Sequence, residues 1–154
     1  MNKRRLAGIA RWLERGAPHK HNVVAFDMSE GFKYKERKAT AVETNACGTI
    51  CCIAGAAVQF YNKPVELIEK AMQETTSSHI PWFMVRNEAE KLLGLDSVTA
   101  NKLFMARLAS GGSCRHIADS KWAARVIRKL IATGEVDWEG CRTTLLRVEE
   151  ENEK

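Results

Sequence analysis

Proline is scarce in this chain, three residues in 154, and glycine supplies only ten. Collagen-like, proline-rich and mucin-like compositions are thereby excluded. No uncharged apolar run approaches the roughly 18–20 residues that span a bilayer. Met1-Asn2-Lys3-Arg4-Arg5 is basic, but Arg11, Glu14 and Arg15 break up the next ten residues, so the apolar core of a secretory signal is missing. There is no Gly-x-Gly-x-x-Gly, no Walker loop and no His-Glu-x-x-His. RNP, zinc-finger and basic-zipper patterns are absent as well. The expectation is a soluble cytoplasmic protein.

What is present fits an ordinary globular chain: 45% hydrophobic and 28% charged residues, close to the average for soluble domains. The length suits a single domain over 1–154, large enough to bury roughly two-thirds of the surface its unfolded chain exposes. The cysteines are Cys47, Cys51, Cys52, Cys114 and Cys141. An odd count without a secretory signal argues for thiols rather than a disulfide framework, and reduced cysteine packs as a small apolar side chain.

Charge is unevenly spread. Overall there are 24 Lys+Arg against 19 Asp+Glu. Residues 1–38 hold ten basic and four acidic side chains, whereas 139–154 hold five acidic and three basic ones, crowded at Glu149, Glu150, Glu151 and Glu153. A basic excess of this kind attracts polyanions at low salt. The acidic end, 149–154, is expected to fray.

Hydrophobic periodicity predicts a mainly α fold of about six to seven helices. Leu6, Ile9, Ala10 and Leu13 recur at i, i+3, i+4, i+7, with Lys3, Arg4, Arg11 and Arg15 on the wet side and Gly16-Ala17-Pro18 as the stop. Val23-Val24-Ala25-Phe26 and the alternating Phe32-Lys33-Tyr34-Lys35, separated by Ser29-Glu30-Gly31, predict a small β-hairpin near 23–38, or a pair of short strands. Ile50 to Val58 carries no charge and predicts a buried central helix, capped by Thr49 or Asn45. Further helices are predicted after Pro64, after Pro81 with Gly94 as its stop, and from Asp96 or Ser97. Another runs from Asp119 or Ser120 to Gly134, and a last one lies in the tail from Asp137.

Several landmarks occur together: Phe26-Asp27-Met28-Ser29, Cys47-Gly48-Thr49-Ile50-Cys51-Cys52-Ile53-Ala54-Gly55-Ala56, Leu93-Gly94-Leu95, Leu103-Phe104 and Gly134-Glu135-Val136-Asp137-Trp138. In this order they resemble a group of small proteins from tailed phages and bacterial genomes, whose specific element is the Cys-Gly-Thr-x-x-Cys-Ile-Ala-Gly core. Cys51 beside Cys52, and Ala56 where a bulky residue is frequent, depart from that pattern. The resemblance implies a phage-type accessory protein, which would act in the host cell's cytoplasm, and it supplies no activity.

Four arrangements bear on chemistry. The Cys47-Gly48-Thr49 turn, leading into an apolar helix, offers backbone N–H groups and a hydroxyl to an anionic ligand; the alternative is a close helix crossing with buried cysteines. Cys47 is the nucleophile candidate of a cysteine hydrolase, but no sequence pattern assigns it a base among His19, His21, His79 and His116. Cys47, Cys51 or Cys52, Cys114 and His116 lack the paired short spacings of structural zinc, and no metal or cofactor is expected. Arg115, Lys121, Arg125, Arg128 and Lys129 form a basic face opposite Trp122, Val126, Ile127 and Leu130, either a docking face or a solvated surface. The carboxylate pairs Glu66/Glu69 and Glu88/Glu90 occupy surface-like positions and suggest no acid/base pair.

These features together point to a non-enzymatic accessory protein that binds a host protein, such as a defence component, or an anionic ligand. The alternatives are nucleic-acid binding through the basic N-terminal segment and the 121–129 face, or a Cys47 hydrolase. Oligomeric state is not legible in the sequence.

Overall fold

Asn2 opens the first helix by accepting a hydrogen bond from the Arg5 amide on its side-chain oxygen at 3.1 Å, which satisfies one of the orphan donors of a first turn. In the computed structural model, which describes residues 1–20, 23–29, 32–34, 49–62 and 82–142, this helix, α1, spans Lys3–Glu14. Its periodic residues Leu6, Ile9, Ala10 and Leu13 are buried, together with Trp12. Gly16 and Ala17 then adopt positive φ, 79° and 51°, and turn the chain out of the helix. The Trp12 indole N–H donates to the Pro18 carbonyl at 2.7 Å, so the buried ring keeps its polar atom paired.

Two short strands stand where alternation predicts them, β1 over Val23–Phe26 and β2 over Phe32–Tyr34. They do not pair as a hairpin. A third strand, β3 over Thr49–Cys51, lies between them. β3 is parallel to β1, with Phe26 opposite Cys51, and antiparallel to β2, with Tyr34 opposite Thr49. A central strand has both rows of backbone groups satisfied, and Thr and Ile suit it because branching at Cβ favours the pleated conformation. The Thr49–Cys51 segment predicted to lead into a helix is therefore extended. A short apolar run reads equally well as buried strand or buried helix until its neighbours are known.

The apolar helix comes directly after it as α2, Ile53–Tyr61, with Ile53 to Gln59 all buried. Cys52, not Thr49 or Asn45, stands at its N-cap, in extended backbone and without a side-chain cap hydrogen bond. The segment predicted to be helical after Pro64 lies outside the described residues.

Beyond residue 81 the elements match the caps read from the sequence. α3 is Trp82–Leu93, and Gly94 comes next at φ 59°. α4 is Ser97–Phe104, where the Asp96 carboxylate accepts from the Thr99 amide at 2.9 Å. α5 is Ser120–Thr133, where Asp119 accepts from the Trp122 amide at 2.7 Å and Gly134 closes the helix in the left-handed region at φ 80°. Residues 138–142 are helical again. The chain is mainly α, as its periodicity predicts.

The core is built chiefly between α1 and α5 and between α2 and α3. Trp122, Ala123, Val126, Ile127 and Leu130 form the buried stripe of α5. Each large apolar side chain taken fully out of water contributes about 1.5–3 kcal/mol. Trp122 and Trp138 meet edge to face at 5.9 Å. Their indole N–H groups donate to the carbonyls of Trp138 and Lys102 respectively. No helix among the described residues is long and apolar enough to cross a membrane.

Candidate functional site

The wet side of α1 carries Arg4, Gly8, Arg11 and Arg15 at i, i+4, i+7, i+11. At 100° per residue these positions fall within a sector of about 60°, and at 1.5 Å per residue the row is roughly 16 Å long. It runs along a cleft of about 820 Å3 lined by these four residues together with Asn2, Arg5, Glu14, Lys20 and Tyr61. No aliphatic side chain is among the described lining residues.

Tyr61, the last residue of α2, shapes the middle of the cleft. Its hydroxyl donates to the Arg5 carbonyl at 2.9 Å, and the Arg5 guanidinium lies 5.3 Å from its ring centre. A Cβ added at Gly8 would stand 2.3 Å from the Tyr61 Oη. Glycine at this position is what lets the phenol reach the helix backbone. Burial pushes the Tyr61 phenol up from its ordinary value.

The cations differ in how far they are committed. Arg5 Nη1 donates to the Leu92 carbonyl at 2.8 Å, and the Asn2 amide donates to the Leu93 carbonyl at 2.6 Å. The start of α1 thus satisfies carbonyls left over at the end of α3, and Arg5 serves as a strut. The Lys20 ammonium sits 4.3 Å from the Phe60 ring centre, an arrangement that leaves its charge in place. Arg4, Arg11 and Arg15 are exposed, and their side chains make no hydrogen bond or ion pair with another described residue.

Glu14 is the single acidic residue among the described residues of the cleft wall. Arg128 of α5 grips it through two hydrogen bonds, 2.7 and 2.9 Å. That bond, first among the causes, holds the Glu14 carboxyl below its ordinary value and the Arg128 guanidinium above its own. The carboxylate is therefore turned to α5 rather than to the arginines beside it.

The basic face read on α5 is not a free row of cations. Arg128 is held by Glu14, and the Lys129 ammonium is held by Asp137. Arg125 Nε donates to the Cys141 carbonyl at 3.2 Å. Arg115 is half-buried, with its Nε shielded from solvent and without a hydrogen-bond acceptor. Only Lys121 of this set is both exposed and without such a contact among the described residues.

Cys47 and Gly48, the other sequence-derived site residues, lie outside the described residues. Thr49 begins β3, so the helix N-terminus expected just after it is displaced to Cys52. Cys51, Cys52, Cys114 and Cys141 are buried free thiols. Burial, the largest cause in each, pushes all four thiols up from their ordinary value, which disfavours the nucleophilic thiolate. Glu90 is paired with Arg86 at 2.8 Å, and Glu88 accepts from Asn62 at 3.1 Å. Both carboxylates are engaged in bracing rather than poised together. Among the described residues no group of three or more His, Cys, Asp or Glu side chains is placed to hold a metal ion.

The cleft is only half legible in the sequence, which shows the basic excess of the N-terminal segment and the wet positions of α1. The signal that would have sharpened it is Gly8 standing in register with Arg4, Arg11 and Arg15. The contributions of Tyr61 and Lys20 depend on the tertiary packing.

No protein-family model, no curated protein and no solved structure matches this chain.

Proposed function

We propose that this chain is a non-enzymatic accessory protein of phage type that acts by binding, and that the cleft along α1 holds an anionic partner. The observation that carries the reading is the charge inventory of the cleft wall. Arg4, Arg5, Arg11, Arg15 and Lys20 surround it, and the one carboxylate among its described lining residues, Glu14, is already neutralised by Arg128. Clustered like charges repel one another and are held apart from their counter-charges only at a cost, which an incoming anion relieves. A host protein would meet the same chemistry by presenting an acidic surface.

The test is fluorescence anisotropy with a labelled heparin fragment as a generic polyanion at low salt. Wild-type protein is expected to bind, and Arg11→Glu/Arg15→Glu to lose at least tenfold in affinity while keeping its helical circular dichroism. A charge-reversed protein that stays folded and binds as well as wild type removes the cleft from the reading.

A further inference from the structure

We infer that the partner of the α1 cleft is a single strand of nucleic acid, gripped by its phosphates and not read for sequence; this rests on the anion-binding function proposed above. Three observations select that class.

The first is shape. A compact phosphate ligand needs donors that converge on one point. Here Arg4, Arg11 and Arg15 are exposed and strung out over roughly 16 Å of helix, with Lys20 beyond them on the cleft wall. A single strand stacked as in a duplex carries one phosphate about every 3.4 Å of axis and presents four or five charges over that length.

The second is the absence of an apolar anchor. Protein partners draw their binding energy from a buried apolar or aromatic centre with a polar rim. Among its described residues the cleft wall has no aliphatic side chain and one aromatic, Tyr61, which has Arg5 against its ring and its hydroxyl bonded to the helix backbone. The exposed apolar side chains Phe83, Val98 and Ile117 are not among its lining residues. Binding by phosphate neutralisation and counterion release requires no such centre.

The third is that the cationic row is single. A duplex lays two phosphate rows across a groove and is best met by cations on both flanks of a helix. On one flank of the α1 row stands Arg5, tied to the Leu92 carbonyl. On the other stand Glu14, tied to Arg128, and at the N-terminal end the exposed Lys3. From Gly8 to Arg15 one row is left to track one strand. Tyr61 is already covered by Arg5, and among the described lining residues the one side-chain amide is that of Asn2, at the N-terminal end of the row, so composition should matter little.

The experiment is anisotropy with a fluorescein-labelled 20-residue oligothymidylate across a salt series, in competition with a 20-base-pair duplex, polyglutamate and inorganic pyrophosphate. Four neutralised phosphates give an expected slope of log K against log salt of about −3, at ~0.7 per phosphate on a single strand. Arg11→Gln/Arg15→Gln should flatten it to about −1.5, while Lys121→Gln, on α5, should leave it unchanged. Competition by an oligoadenylate of equal length should match oligothymidylate within about threefold. Equal or tighter binding of duplex or polyglutamate overturns the inference, as does binding of pyrophosphate alone; in each of those outcomes the anion-binding reading stands. Failure of every probe at low salt overturns both.

Discussion

Arg128 and Glu14, 114 positions apart, are joined by two parallel hydrogen bonds of 2.7 and 2.9 Å that tie α5 to the end of α1. The fork of a guanidinium matches the two oxygens of a carboxylate, and here the match has a directional consequence. Glu14 closes a helix whose C-terminal end disfavours negative charge, and it stands among arginines that would otherwise attract it. Drawing the carboxylate towards α5 leaves Arg11 and Arg15 facing solvent.

Arg128→Ala should therefore weaken polyanion binding although Arg128 is not a lining residue of the cleft. The freed Glu14 can turn to Arg11, three residues before it. We expect a loss of about three- to tenfold at low salt, for a net change of one or two local charges. In the Glu14→Gln background the same substitution should cost little, and the coupling is read from the double-mutant cycle. Equal losses in both backgrounds would show that Arg128 does not act through Glu14.

The same pair makes a pH prediction. The Glu14 carboxyl is lowered in the folded protein, by the Arg128 bond first and charge attraction after. A depressed carboxyl contributes stability above its unfolded value that is lost as pH falls through the lower folded value. Both side chains are about two-fifths exposed, so solvent screening limits the effect to roughly 0.5 kcal/mol. Urea melts should show Glu14→Gln less stable than wild type by about that amount near pH 7, with the difference vanishing as pH falls through the lowered folded value.

Gly8→Ala tests the approach of Tyr61 to α1. The new methyl group would collide with the phenol oxygen, displacing it from the Arg5 carbonyl; overpacking of this kind costs about 1–3 kcal/mol. Alanine gains about 1 kcal/mol of helix propensity over glycine, so the net loss should be about 1 kcal/mol. In a Tyr61→Phe background the oxygen is gone, and Gly8→Ala should become neutral or stabilising by up to about 1 kcal/mol. Thermal melts of the four proteins decide it.

Thiol reactivity tests the burial of the four described cysteines. Cys51, Cys52, Cys114 and Cys141 are buried and their thiols are raised by that burial. Under native conditions a disulfide dye should label them at least a hundredfold more slowly than in guanidinium. Peptide mapping after a brief native exposure should find none of the four modified. Rapid native labelling at Cys52 would contradict the packing described for the start of α2.

Much of the architecture was determined by the sequence alone, wherever the deciding interactions are local. Asn2, Asp96 and Asp119 cap helices because their side chains reach an amide three residues on, and Gly94 and Gly134 end helices because only glycine takes a positive φ without strain. The stripes of α1 and α5 arise from 3.6-residue periodicity. Where the deciding partner is remote, the sequence was silent. Thr49–Cys51 became a strand because β1 and β2 stand on either side to take its hydrogen bonds, a fact of pairing and not of propensity. The basic face from Lys121 to Lys129 looked free because Asp137 and the Cys141 carbonyl approach only in the folded chain, and Glu14 comes from the opposite end of it. Charge is written residue by residue, but which charges remain unpaired depends on what packing brings within 3 Å. In this protein, packing paired Arg128 and Lys129 of α5 with carboxylates and left Arg4 and Arg11 of α1 exposed.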